Sequence, residues 1–430
     1  MAQIEGLRIQ NYKALKDITL GKLWNTQDRP LTRLTAVIGH NGTGKSSLFD
    51  AFGFIADCLK MGVEEACDNR GGFETIYSKG VDLAEGMTFT VSYRESSDAD
   101  DSPITYEFAI KAAADRWPYV ASERLRQKRK GSAEGDCPQS FMIINNGTGV
   151  VWKGGSEGRL NNEDEGSVLN LINQIEAGQK TEEANETEVV RLEDNRHLAV
   201  TTLGSLKQHP RITKFRKFIE SWYLSYFAPD SARSLPATGC QKHLDSHGGN
   251  LANVVQYMQR EHGNQFKKVL SRLSAKIPGI EKIDTRVTPD GRLLLEFYAE
   301  GFAEPFFAQQ MSDGTLKYFT YLLLLEDPEP HSLVCIEEPE NGLYPQLLEA
   351  LGQEFRNYAS ARTADSQVFI TTHQPFLLNA FNTDEVWILE KQPDGFARIS
   401  RASNNELARQ MADAGLPLGE LWYSDYLSGK

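Results

Sequence analysis

The sequence has no apolar run approaching the roughly 20 residues needed to cross a bilayer. Its first ten residues, Met1 to Gln10, lack the basic-then-apolar pattern of a secretory signal. Both absences speak against a membrane protein and lead to the expectation of a cytoplasmic one. Cysteine is scarce: Cys58, Cys67, Cys137, Cys240 and Cys335 are odd in number, widely spread and without a C-x-x-C pair. That spacing argues against a disulfide framework and a structural zinc site and leaves reduced thiols. Positive charge is in the minority, with 46 Lys and Arg against 59 Asp and Glu, a formal net charge of −13. Such a molecule repels nucleic acid at long range, so any DNA contact falls to a local patch. Two basic runs are candidates, Arg124-Leu-Arg-Gln-Lys-Arg-Lys130 and Lys207 to Lys217 with Arg211, Lys214 and Arg216. The plain reading of each is a solvated loop and a solvated helix face.

What is present is the composition of a globular protein. The 430 residues, 40% hydrophobic and 24% charged, suffice for one large core or two joined ones. The opening segment, Ile4 to Lys13 followed by Leu15 and Ile18, alternates as a half-buried strand. Leu34-Thr-Ala-Val-Ile38 ends in a glycine-rich turn, and from Ser46 to Met61 Leu48, Phe52, Ile55 and Leu59 recur at helical spacing. From Met87 to Lys153 the period changes to two, with a hairpin turn at Asn145-Asn-Gly-Thr-Gly149, which predicts an antiparallel sheet. Between about Gly154 and Gly279 the chain is polar and helical, and its acidic stretch Glu176 to Glu188, poor in apolar residues, reads as a mobile part of an inserted lid or arm. Strand signals return at Ile283 to Val287 and Arg292 to Tyr298. A helix follows Ser312, and the strands His331 to Ile336 and Gln367 to Thr371 flank a helix from Pro345 to about Tyr358. Such alternation predicts a parallel sheet covered by helices.

Gly39-His-Asn-Gly-Thr-Gly-Lys45-Ser46 fits G-x-x-x-x-G-K-[ST] at every fixed position and lies between a predicted strand and a predicted helix. Its glycines let backbone N–H groups surround phosphate oxygens, and the helix N-terminus adds favourable partial charge. Lys45 would reach the β- and γ-phosphates and Ser46 would ligate Mg²⁺. Downstream, Glu337 and Glu338 end an apolar strand, where open parallel sheets present ligand-binding residues. Glu337 suits Mg²⁺, directly or through water, and Glu338 suits polarising the water that attacks the γ-phosphate. Ser312, in Gln309-Gln-Met-Ser-Asp-Gly-Thr315, starts a helix, and its hydroxyl with the following N–H groups makes either a plain cap or a second anion site. His373 follows a buried strand and falls on the sheet edge of the acid pair.

In this order the elements resemble the ABC-type ATPases. Gly39 to Ser46 is similar to their Walker A motif, Met311-Ser-Asp-Gly-Thr315 to the signature motif and Leu333 to Glu338 to Walker B. Asn341-Gly-Leu-Tyr-Pro345 resembles the D-loop and His373 the switch histidine. Leu7-Arg-Ile-Gln-Asn-Tyr-Lys13 resembles the opening strand of SMC, RecF and OLD-like ATPases, as His243-Leu-Asp-Ser-His-Gly-Gly-Asn250-Leu-Ala does a recurring segment of RecF/OLD-like ones. Two departures stand out: Glu337 replaces the usual Walker B aspartate, and no glutamine after the first helix marks a Q-loop.

The resemblance implies an α/β P-loop NTPase of ABC type with a mixed parallel core sheet, an antiparallel β subdomain and a helical insertion. Residues 1–111 would form an N-terminal ATPase lobe, 112–279 the lid or arm, and 280–430 a C-terminal lobe. It further implies ATP and Mg²⁺ as ligands, with Gly39, Asn41, Gly42, Gly44, Lys45, Ser46, Ser47 and Lys13 at the nucleotide and Ser46 and Glu337 at the metal. Glu338 and His373 would be catalytic, and Ser312 and Gly314 would act in trans across a head-to-tail homodimer or higher homo-oligomer. Transport is disfavoured by the missing membrane segment and the large, β-rich insertion. OLD-like relatives often carry a C-terminal nuclease domain, for which the stretch after His373 is too short, so a nuclease would be a separate polypeptide. Resemblance to the ATPase subunits of two-gene anti-phage systems such as PARIS and Septu suggests a sensor that controls a separate effector. The competing expectation is a repair or chromosome-maintenance ATPase that clamps DNA with its basic runs, and a blander one is a slow nucleotide-dependent scaffold. The histidines at 243 and 247 invite an HNH-nuclease or zinc reading, which the spacing rejects, since Asp245 and Asn250 lie among turn residues that a structural loop also uses.

Overall fold

The computed structural model describes the chain apart from residues 1, 27, 97–101, 114–116, 129–137, 154–159, 161–164, 180, 361–365 and 428–430. It divides into two compact units. The first holds Met1–Thr32, Gly39–Trp222 and Ile388–Ser400, and the second holds Arg33–Ile38, Tyr223–Trp387 and Arg401–Lys430. The division at Trp222 falls inside the stretch 112–279.

The first unit is built on an eight-stranded antiparallel sheet. In spatial order its strands are Leu15–Gly21, Gln3–Tyr12, Met87–Arg94, Ile104–Ala112, Pro118–Gln127, Gln139–Asn145, Thr148–Trp152 and Thr187–Arg191. The helix Lys45–Met61 carries Leu48, Phe52, Ile55 and Leu59 as its period predicts, but Phe49, Phe54 and Cys58 are buried as well. A helix apolar on nearly every side belongs inside a core. Its Phe54 ring lies 5.2 Å from Tyr12 and 5.3 Å from Phe89, which stacks on Phe108 at 5.2 Å, so an aromatic column joins helix to sheet.

Three expectations are corrected here. The acidic stretch is ordered at its end, where helix Glu182–Glu186 leads into the edge strand Thr187–Arg191. Pairing with Thr148–Trp152 supplies the backbone partners that composition could not announce. The first basic run is no loop through Gln127, because Arg124 to Gln127 pair between two strands, while Arg129 and Lys130 lie outside the described residues. In the second run Lys207, Lys214 and Lys217 are exposed, as on a solvated face, and Arg211 and Arg216 depart from it. On helix Pro210–Glu220, Arg211 is buried with its guanidinium 3.9 Å from the Phe141 ring centre. Lys214 pairs with Glu95, and Arg216 donates to the Thr201 carbonyl at 3.2 Å.

In the second unit, four parallel strands run in the order Tyr223–Ser225, Leu333–Glu337, Gln367–Thr372 and Leu34–Ile38. The short first strand lies in a stretch read from sequence as polar and helical. Helices Asp313–Leu325 and Pro345–Ser360 accompany the sheet, and Ile280–Val287, Leu293–Ala299 and Phe306–Phe307 form a small antiparallel sheet. No helix among the described residues is long and apolar enough to cross a membrane.

One buried charge ties the first unit together. Glu123, 1% exposed, accepts hydrogen bonds from Tyr106 Oη at 2.7 Å, from Val200 N at 3.1 Å and from Ala199 N. Burial pushes its carboxyl up to about 7, against the opposing effect of these donors. A folded-state value above the unfolded one means that the group stabilises the fold fully below the ordinary carboxylate range and loses that contribution as pH rises through about 7. Wild-type stability relative to Glu123→Gln should therefore fall between pH about 4.5 and 7, read from urea midpoints across that range. Glu123→Ala, which strips the acceptor from buried N–H groups, should cost roughly 3 kcal/mol in the same measurement.

Candidate functional site

In the first unit the loop after Ile38 can be traced residue by residue. A Cβ on Gly39 would come within 2.4 Å of the Leu389 carbonyl oxygen, so the backbone approach there requires glycine. Gly42 and Gly44 have φ of 78° and 104°, the left-handed conformation that turns the loop back into the helix. Gly44 caps Lys45–Met61 without a side-chain hydrogen bond, and the first turn holds no acidic residue. The positive end of the helix is thus not neutralised by its own side chains. Asn41, Gly42 and Ser46 are exposed, Gly44 and Ser47 half-buried. Lys45 is buried, its Nζ donating to the carbonyls of Gly39 at 2.8 Å and His40 at 3.2 Å. The ammonium therefore sits within the curl of the loop.

Lys13 lies in a tight turn, with Asn11 and Lys13 at φ of 60° and 50°. Asn11 Nδ2 donates to the Gly86 carbonyl at 2.9 Å and Lys13 N to that of Ile76 at 2.7 Å, which offsets the strain of non-glycine residues in this region. The Lys13 ammonium pairs with Asp50, one turn into the helix that follows the loop. Asp50 also receives Arg70 Nε at 2.8 Å and the Tyr12 hydroxyl at 2.5 Å, and Arg70 reaches on to Asp57 at 2.7 Å. Burial alone would raise the Asp50 carboxyl, but Arg70, Lys13 and Tyr12 together hold it below the usual range. Asp50 and Arg70 escaped the sequence reading; an acid within an apolar helical repeat was the only signal for the first.

In the second unit the parallel register pairs Glu337 with Thr371 and Thr372 with Ile38. The acid pair, the histidine and the residue preceding the glycine loop thus belong to one sheet edge. Glu337, half-buried, ends its strand, and Glu338 turns out of it with φ 40°. This non-glycine left-handed conformation is held by Glu338 N donating to the Thr371 carbonyl at 3.0 Å. The turn brings Glu338 Oε1 to 3.6 Å from His373 Nδ1, and Asn341 Nδ2 donates to Oε2 at 3.4 Å.

Behind them stands a carboxylate missed from sequence. Glu340 is 4% exposed and accepts from Thr372 Oγ1 at 2.8 Å and His373 N at 2.9 Å. Its Oε1 also lies 3.1 Å from His373 Nδ1, a close contact without hydrogen-bond alignment. Burial raises the Glu340 carboxyl above its ordinary value. Lys317, buried in the helix after Ser312, donates to the Asn341 carbonyl at 3.0 Å and holds the turn carrying both acids. Desolvation lowers its pKa, opposed by Glu340, Glu338 and Asp313. Glu340 was visible as a third acid of Glu337-Glu-Pro-Glu340 and Lys317 as a lone cation in an apolar helix, but neither pattern reveals burial.

Ser312 is exposed and caps its own helix, its Oγ accepting from Thr315 N at 3.2 Å. Gly314 packs on the turn after Glu340, where a Cβ would meet the Gly342 carbonyl at 2.8 Å. Arg233 ties this segment down, donating to the Met311 carbonyl at 2.9 Å and pairing with Asp313. The His243–Asn250 segment is a structural turn. Asp245 accepts from His247 N, Gly249 N and Asn250 N, and Asn250 Nδ2 returns to the His243 carbonyl at 2.9 Å.

Among solved structures, the chain is similar to the Smc head domain with an extended coiled coil bound to the C-terminal domain of ScpA, from Pyrococcus furiosus. The TM-score is 0.50 at 12% identity, covering 96% of this chain and 100% of that one. The SMC head domain from Thermotoga maritima aligns with TM-score 0.44 and 12% identity, over 93% of this chain and 98% of that one. No curated protein matches the sequence. The fold is that of the SMC-head class of P-loop ATPases. A family model described as "AAA domain, putative AbiEii toxin, Type IV TA system" matches residues 34–379, most of the chain, and the protein belongs to that family.

Proposed function

We propose that the chain hydrolyses ATP and that nucleotide-dependent pairing of two copies controls a separate effector, as the sensor and ATPase component of an anti-phage defence system. The observation that carries hydrolysis is the strained turn at Glu338, which aims a carboxylate toward His373 on the edge shared with Ile38. Strain of this kind, roughly 1–3 kcal/mol, is retained where a side chain must be re-aimed.

In this reading the N–H groups from Gly39 to Ser47 wrap the phosphates and Lys45 transfers its ammonium from loop carbonyls to phosphate oxygens. Lys13 lies beside the nucleotide, steadied by Asp50. The hydroxyl of Ser46 and the carboxylate of Glu337 are hard oxygen donors of the kind Mg²⁺ takes, and the bound ion would neutralise charge developing on the phosphates. Glu338 orients the attacking water and His373 faces the γ-phosphate. Glu340 is a positioning residue, fixing the His373 backbone from below. The exposed Ser312, with Gly314 buried behind it, serves the nucleotide of a second copy in a head-to-tail homodimer. Residues 1–111 and 280–430 supply this machinery and 112–279 the arm that meets the effector.

The family description, which names a putative toxin of a toxin–antitoxin system, supports a defence role. The SMC-head likeness favours a second reading, a chromosome-maintenance ATPase that clamps DNA. Against it stand the internal engagements of Arg211 and Arg216 and the pairing of Lys214 with Glu95, which draw cations away from a possible patch.

Phosphate release by the purified protein tests the first claim. Lys45→Ala should abolish ATP binding, whereas Glu338→Gln should keep binding, lower kcat roughly 100-fold or more and accumulate a dimer on size exclusion. Unaltered turnover in Glu338→Gln would remove the proposed base. Glu340→Gln should lower kcat while leaving KM for ATP unchanged, and a rise in KM alone would contradict positioning. Phage resistance lost with Lys45→Ala, together with copurification of a nuclease-like partner, supports effector control. DNA-stimulated turnover that fades steeply with salt supports the clamp instead.

A further inference from the structure

At the far end of the acid-bearing strand, the second unit brings together side chains from two separate stretches of sequence. Donor atoms of His243, Asp327 and His331 all lie within 4.8 Å of one another, the only such His, Cys, Asp and Glu grouping among the described residues. His243 lies in the loop beyond the short helix Pro229–Ala232, Asp327 lies just past helix Asp313–Leu325, and His331 just precedes strand Leu333–Glu337. Glu338 leaves the opposite end of that strand, so this cluster is separate from the proposed hydrolytic groups.

Each member is oriented from behind. Asp327 accepts from Glu329 N on Oδ1 at 2.9 Å, which leaves Oδ2 turned to His243 Nδ1 at 2.8 Å. The other nitrogen of His243 lies 3.9 Å from Glu329 Oε2, where an outer carboxylate orients a metal-bound imidazole. Glu329 is itself held by Lys242 at 2.8 Å, and the His243 carbonyl is held by Asn250. The His331 ring stacks on Tyr223 with centres 4.9 Å apart, and its centre is 5.1 Å from that of His243. An aspartate–histidine ion pair needs no second imidazole; a metal ion does.

We propose that His243, Asp327 and His331 bind a divalent transition metal ion of the zinc class. The ion would tie the His243–Asn250 segment to the connection between helix Asp313–Leu325 and strand Leu333–Glu337. Two imidazoles and a carboxylate suit zinc with water in the fourth position, whereas Mg²⁺ and Ca²⁺ prefer oxygen ligands throughout. For the ion to take Nδ1, the neutral His243 ring moves its proton, through solvent, from Nδ1 to Nε2, which faces Glu329. The donor atoms of His243 and Asp327 then separate from hydrogen-bond distance to about 3.3 Å, the spacing of two ligands on a tetrahedral ion. His331 closes to the same spacing from within 4.8 Å, and His243, 36% exposed, has room to turn.

The full-length protein, stripped with a chelator and returned to excess Mg²⁺ so that oxygen sites are saturated, is titrated with zinc chloride. Metal content and Tm are then measured. About one zinc per chain and a raised Tm are expected for wild type and for Cys240→Ser, and at least a tenfold loss of uptake for His243→Gln and Asp327→Asn. No uptake by wild type, or unchanged uptake in both variants, would overturn the assignment. Should the variants fail to fold, cobalt bound by wild type decides it. Visible bands without sulfur-to-metal charge transfer support the histidine–aspartate set, and a thiolate signature or no spectrum overturns it.

Discussion

Backbone hydrogen bonding holds Leu34–Ile38, Gln367–Thr372 and Leu333–Glu337 in one parallel register, and the proposed chemistry depends on that alignment. The three strands are buried almost throughout, so a slip of one residue would exchange the side chains of two close-packed faces and misfit both. With the register set, Ile38, Thr372 and Glu337 end together, and the residues that follow leave the sheet at one edge. Ligand sites in open parallel sheets lie at such edges because the regular ladder stops there and side chains and N–H groups become available.

At that edge, and separately in the first unit, the protein uses buried charge to hold its turns. Lys317 reaches carbonyls of the acid-bearing turn, and Glu340 collects hydrogen bonds from the strand end that precedes His373. In the first unit, Asp50 gathers Lys13, Arg70 and Tyr12 beneath the glycine loop. Buried ion pairs are poor sources of stability, since desolvation consumes much of the attraction, but a fully bonded network admits few alternative geometries. Such rigidity suits the glycine loop of the first unit and the strained turn of the second, each of which the proposed chemistry requires in a fixed geometry.

The charge pattern also explains why basic runs mislead. Arg211 stacks on Phe141 inside the unit and Lys214 answers Glu95 at its surface, so cations that stand in a row in sequence point to different partners. A guanidinium over an aromatic face contributes packing as well as charge, and that use is invisible in one dimension.

The sequence by itself determined the glycine loop before the first helix, the parallel strands, the acid pair at a strand end and the cap at Ser312. Each rests on local spacing: a period of two or 3.6, or glycines where φ is positive. Sequence did not disclose the edge strand Thr187–Arg191, the short strand Tyr223–Ser225, or the partners Asp50, Glu340 and Lys317. Nor did it bring His243 toward Asp327 and His331, more than eighty residues away. Only the tertiary structure decided these, because a hydrogen bond or ion pair between distant segments follows from the distance between them in space, and no local period encodes that distance.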